Sequence, residues 1–179
     1  MALSAVGLHW RFGLGLAFVV GFVFTAALIV ISFIDLDVRI VPDVISLPGI
    51  VLGFLFSLVG GYLMTDALAI VPTPLSSVLG ILVGGGFLFL TAWAYERFTG
   101  VQGMGGGDIK LLAMIGAFLG WQSIPLTIFF ASLAGSMIGV SVMIATGAGR
   151  RLALPFAPFL CAGALIYLFF GRQLMLLYL

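Results

Sequence analysis

From Phe12 to Ile34 the chain carries no charged side chain. A helix needs about 20 apolar residues to cross the hydrocarbon of a bilayer, and runs of this kind recur along the sequence. Six spans follow: Phe12–Ile34, Val44–Met64, Ser77–Tyr95, Ile109–Leu119, Ile124–Thr146 and Phe159–Leu177. Lipid offers backbone groups no hydrogen-bond partner, so only helices or a closed barrel can cross it. Barrel strands alternate in polarity, whereas these runs are continuously apolar. The sequence therefore predicts an all-α, polytopic membrane helical bundle with about six transmembrane helices. Only 7% of its residues are charged and 63% are hydrophobic, too polar-poor for a water-soluble surface. No repeat or charged linker divides the chain, so residues 1–179 read as a single membrane-embedded domain.

Composition also excludes several functions. A net charge of +1 gives no nucleic-acid signal. The single cysteine, Cys161, rules out an intrachain disulfide and a cysteine-built zinc site. His9 stands alone and offers no partner ligand, so it reads as a residue at the water interface. No metal and no cofactor is expected. The first apolar run is too long for the core of a cleavable signal peptide.

Basic residues set the expected orientation. Arg39, Arg97, Lys110, Arg150 and Arg151 fall on one side of a six-span chain, and Arg11 and Arg172 on the other. The richer side is predicted to be cytoplasmic. Asp35 and Asp108 were not used in that assignment, yet both come out on this side.

Two short segments hold four of the six acidic residues: Asp35, Asp37 and Asp43 in the first, Asp108 in the second. A carboxylate near hydrocarbon is costly, which makes it a functional candidate by default. Two carboxylates at separate helix ends can form an acid/base pair. The second segment, Gly103-Met104-Gly105-Gly106-Gly107-Asp108, lacks the Gly-Lys-Ser/Thr ending of a phosphate-binding loop. Its glycines allow another chain to approach within hydrogen-bond distance. The bland reading of this segment is a turn before an ordinary helix cap. Ile109–Leu119 reaches only roughly half a bilayer at about 1.5 Å per residue. Either the helix starts earlier, in the glycines, or Asp108 lies below the surface. A wet pocket with Asp108 on its wall is expected. Pro42 suits the start of the second span, with Asp43 as its N-cap, and Asp37 reads as solvated. Gly80-x3-Gly84, Gly116-x3-Gly120 and Gly135-x3-Gly139 fit helix packing. Glu96-Arg97 reads as a local pair, and Leu154-Pro155-Phe156-Ala157-Pro158 as a stiff lead-in to the last span.

Three ordered stretches together resemble the type IV prepilin leader peptidase family, one of the GxGD intramembrane aspartyl proteases. They are Ile34-Asp35-Leu36 through Ile45-Ser46-Leu47-Pro48, then Gly103 through Ala113, then Leu154 through Pro158. The resemblance covers almost the whole chain. It implies a GxGD aspartyl protease fold with Asp35 and Asp108 as the catalytic pair. Gly105, Gly106, Gly107 and Lys110 would complete the second motif. Asp43 falls where archaeal relatives have asparagine, which implies a structural role. The implied substrate is a prepilin or pseudopilin of a type IV pilus or type II secretion system. Its short basic leader would be cut on the cytoplasmic side of the bacterial inner membrane and would meet Asp35, Asp37 and Asp43. Membrane lipid is the other implied partner, and oligomeric state is left open. Longer members carry an N-terminal cytoplasmic domain and N-methylate the trimmed pilin; no counterpart is recognised here, so methyl transfer is not expected. The alternatives are a small proton-coupled carrier using the same aspartates, disfavoured because the opposite side offers only Asp66, and a purely structural subunit.

Overall fold

Apolar runs in this chain end at backbone caps, not at the first charge. The computed structural model describes residues 2–13, 15–63, 72–101, 105–146 and 155–178. Expectations for Asp66, Gly103, Met104, Arg150, Arg151 and Leu154, for most of the loop 65–76, and for the side chains of Arg11 and Arg172 lie outside the described residues. Among the described residues there are seven helices and no strand. They are α1 (Ala2–Phe12), α2 (Leu16–Val38), α3 (Asp43–Leu63), α4 (Pro74–Thr99), α5 (Gly106–Leu119), α6 (Ser123–Thr146) and α7 (Ala157–Tyr178).

The expected boundaries shift for physical reasons. α2 runs a full turn past Ile34, so Asp35 and Asp37 are helical. It stops at Arg39, whose φ of 57° is left-handed and whose N–H donates to the Asp35 carbonyl at 2.9 Å. Arg39 is the one non-glycine residue with positive φ among those described. α4 likewise passes Tyr95 and ends at Gly100, φ 69°, whose N–H donates to the Glu96 carbonyl at 2.8 Å. At its start, the Thr73 hydroxyl accepts the Ser76 N–H at 3.3 Å and Pro74 opens the helix. Glu96 and Arg97 form no ion pair among the described residues, because neighbours on a helix point in different directions.

α1 is a helix that no bilayer-length apolar run announces. It is too short to cross a bilayer, but its Leu8 is fully buried against Gly21 of α2.

α5 is the centre of the bundle. Every residue from Leu111 to Leu119 is buried, mainly between α3 and α4. Phe118 stacks on Phe24 of α2 at a ring separation of 4.7 Å. The α4–α5 crossing is backbone against backbone. A Cβ on Gly80 would strike the Gly116 carbonyl, and one on Gly116 would strike Gly80. Ser77 beside them donates to the Ala117 carbonyl at 2.8 Å. Gly84 extends the same contact towards Leu112, and Gly120, which ends α5 at φ 79°, lies where a Cβ would stand 2.6 Å from the Ser76 Oγ of α4. Small residues let helices meet this closely where lipid supplies no hydrophobic drive between them.

Among the described residues four helices are long and apolar enough to cross a membrane: α2, α3, α4 and α6. The apolar stretch described in α7, Ala157–Gly171, is shorter. α6 is the barest, with Met137, Ile138, Val140 and Ile144 exposed. Such a face belongs in lipid. The protein is a multi-pass helical membrane bundle.

Candidate active site

Four chain segments converge at one end of the bundle: the end of α2 with its following loop, and the starts of α3, α5 and α7. They enclose a cleft of about 830 Å³, within the range of sites that hold substrates. Asp35, Arg39, Val41, Asp43, Gly105, Gly106, Gly107, Asp108, Lys110 and Phe156 are among its walls.

Asp35 reaches the cleft from the last turn of α2 and is only 5% exposed. Its Oδ2 accepts the N–H of Ala157 at 3.2 Å. Ala157 is the first residue of α7, so this carboxylate satisfies one of the N–H groups that a helix start leaves without a partner. The positive end of the helix dipole favours a carboxylate there. The bond also fixes the side chain's direction. No pattern around Asp35 announces this partner, which lies 122 residues away in sequence. The signal was indirect: Pro155 and Pro158, the latter in the first turn of α7, mark a stiff entry into that helix.

Asp108 sits in the first turn of α5, facing the same cleft. Asp35 and Asp108 are both part of its lining. The two acids expected to form a pair are therefore brought together. α5 begins at Gly106, in the glycines, which settles the first of the two alternatives for the short fourth span.

The three described glycines divide their work. Nothing lies within 4 Å of where a Cβ on Gly105 or Gly106 would stand, so both present open backbone to the cleft. At Gly107 a Cβ would stand 2.7 Å from the Cβ of Val41. That glycine serves an internal contact, seating the start of α5 on the loop after α2. Gly107→Ala is expected to cost about 1–3 kcal/mol through overpacking, whereas Gly106→Ala should leave stability unchanged. Thermal unfolding of the two variants checks this.

Asp43 is not the N-cap of α3. The Pro42 carbonyl accepts the Ser46 N–H at 3.1 Å, which makes Asp43 the first helical residue. Its carboxylate turns to Lys110, whose Nζ lies 2.7 Å from both Oδ1 and Oδ2. Asp37 is exposed and is not part of the cleft wall. Of the three acids expected at the mouth, one is buried, one is ion-paired and one faces elsewhere.

Residues 22–140 match the type IV leader peptidase family. The chain is 35% identical over 173 residues to a protein of Pseudomonas putida named prepilin leader peptidase/N-methyltransferase, covering 97% of this chain and 57% of that protein. It is 36% identical to a protein of the same name from Burkholderia pseudomallei strain 1026b, over 99% of this chain and 53% of that one. A third, from Neisseria gonorrhoeae, is 39% identical over 77% of this chain and 45% of its own length. The chain thus spans about half the length of the curated relatives it matches. No solved structure matches it. With the family matched across most of the bundle, both cleft aspartates lying inside residues 22–140, the chain belongs to the type IV leader peptidase family.

Proposed function

We propose that the chain is a membrane aspartic endopeptidase that removes the leader from prepilins or pseudopilins. The observation that carries this reading is the meeting of Asp35 and Asp108 on one cleft. Two neighbouring carboxyls do not ionise independently; they share a proton and titrate as a pair. The ionised partner takes a proton from a water molecule as that water attacks the scissile carbonyl. The protonated partner donates to the carbonyl oxygen, and a proton then passes to the leaving amine. The Ala157 N–H holds Asp35 in one orientation throughout. Open backbone at Gly105 and Gly106 gives an extended peptide a place to lie.

In this reading residues 1–179 act as one peptidase domain in the bacterial inner membrane, with the cleft facing the cytoplasm. Nothing in the cleft favours the carrier: it sits at one end of the bundle, where the substrate's leader would enter. The relatives' names support prepilins as the substrate class.

The test is incubation of the purified chain, in detergent or liposomes, with a prepilin-type substrate. Cleavage at the end of the leader, read by N-terminal sequencing, is expected; an uncut substrate contradicts the proposal. Sidedness is tested separately. A single cysteine introduced at Leu36 or Gly106 should react with an impermeant thiol reagent from the cytoplasmic face, and labelling from outside alone reverses the orientation.

A further inference from the structure

Asp43 and Lys110 stand on the cleft wall with Asp35 and Asp108 and pair with each other. Their side chains are 54% and 38% exposed. An ion pair so open contributes roughly 0–1 kcal/mol to stability, so holding the fold together does not account for it. Its geometry does something else. The ammonium sits equally close, 2.7 Å, to both carboxylate oxygens. It therefore ties the first residue of α3 to α5 at a defined height and rotation.

Asp108 lies between two such ties. On one side Gly107 is seated against Val41 of the loop after α2. On the other, Lys110 is held by Asp43 at the end of that same loop. The loop follows the last turn of α2, which carries Asp35. Among the described residues ahead of these ties, Gly105 and Gly106 offer no side chain, and nothing packs against where one would be. Residues two apart on a helix do not share a face, which lets Lys110 turn to α3 while Asp108 lines the cleft with Asp35.

We infer that the Asp43–Lys110 ion pair is a positioning clamp that sets the approach of Asp108 to Asp35. The inference rests on the reading of those two aspartates as the catalytic pair. Neither Asp43 nor Lys110 handles a proton in the reaction; they act through Asp108. A misplacement of about 1 Å at a reacting group costs on the order of 100-fold in rate, so a clamp of little stabilising worth carries a large kinetic effect.

The test uses the full chain and four variants: Asp43→Asn, Lys110→Met, the double substitution and Lys110→Arg. Each single is expected to lower kcat for a prepilin-type peptide by about 10- to 100-fold, with KM and unfolding temperature little changed. The double should be no worse than the worse single, because either change releases the same tie. Lys110→Arg, which keeps the charge and the reach, should restore most of the rate. A second readout needs no turnover. In an Asp35→Cys/Asp108→Cys chain, also carrying Cys161→Ser, a short bifunctional thiol reagent should join the two positions less efficiently once Lys110→Met is added. Unchanged kcat in the singles, additive losses, a rise in KM alone or an undiminished cross-link overturns the clamp. A wild-type chain that cuts nothing, while its cross-link still depends on Lys110, ends the peptidase reading and leaves the clamp standing.

Discussion

Asp35→Asn and Asp108→Asn will each reduce prepilin cleavage by at least about 1,000-fold while leaving a folded protein. Positioned acid/base catalysis contributes about 100- to 10,000-fold per group, and here one group cannot work without the other. A water activated by one carboxylate is of little use if the carbonyl oxygen receives no proton. The double variant should therefore be scarcely slower than either single, as expected for residues that act as a unit. The fold survives because an asparagine at position 35 still offers Oδ1 to the Ala157 N–H, the bond that ties α2 to the start of α7. Asp108 makes no side-chain bond within the described residues that its loss would orphan. Initial rates on one substrate, with thermal unfolding as the control for folding, decide the matter. Substantial activity in either variant removes that residue from the chemistry.

The second large effect is structural. Gly116→Leu should destabilise the bundle by about 3–5 kcal/mol, the upper end for a single substitution, and sharply reduce recovery of folded protein. The physical reason is what the new side chain meets. At Gly116 it strikes the backbone of Gly80, which has no rotamer to change. α4 and α5 must move apart, breaking the Ser77 bond to the Ala117 carbonyl and loosening the fully buried stretch Leu111–Leu119. Because Asp108 sits at the head of α5, activity should fall with it. Gly86→Ala on the same α4 is the control: nothing lies within 4 Å of its added Cβ, and alanine favours helix over glycine by roughly 0.5–1 kcal/mol. Thermal unfolding in detergent should separate the two variants clearly. Equal stability would mean that the α4–α5 crossing is not close.

What was legible in the sequence was what lipid and charge enforce locally. Runs without charge became helices, and carboxylates in a charge-poor chain drew attention to Asp35 and Asp108. The glycine run before Asp108 marked open backbone. What escaped was whatever depends on distant partners or on backbone geometry. The first charge after an apolar run does not mark a helix end in α2 or α4, where Arg39 and Gly100 set the ends by turning left-handed. α1 escaped because no run long enough to cross a bilayer marks it. Asp43 looked like a cap because acids before helices usually are; its partner Lys110 is 67 residues away. Gly107 could not be told from Gly105 and Gly106 without knowing that Val41 lies against it. The Ala157 N–H at Asp35 is a backbone group and leaves no mark in side-chain chemistry.

A thiol cross-link between positions 35 and 108 examines the core of this account without any assay of cleavage. In an Asp35→Cys/Asp108→Cys/Cys161→Ser chain in native-like membranes, a short bifunctional reagent should bridge α2 and α5 within one molecule and do so in high yield. If the two positions are modified separately and never joined, the acids do not meet at the cleft, and a shared-proton peptidase mechanism cannot operate in this bundle.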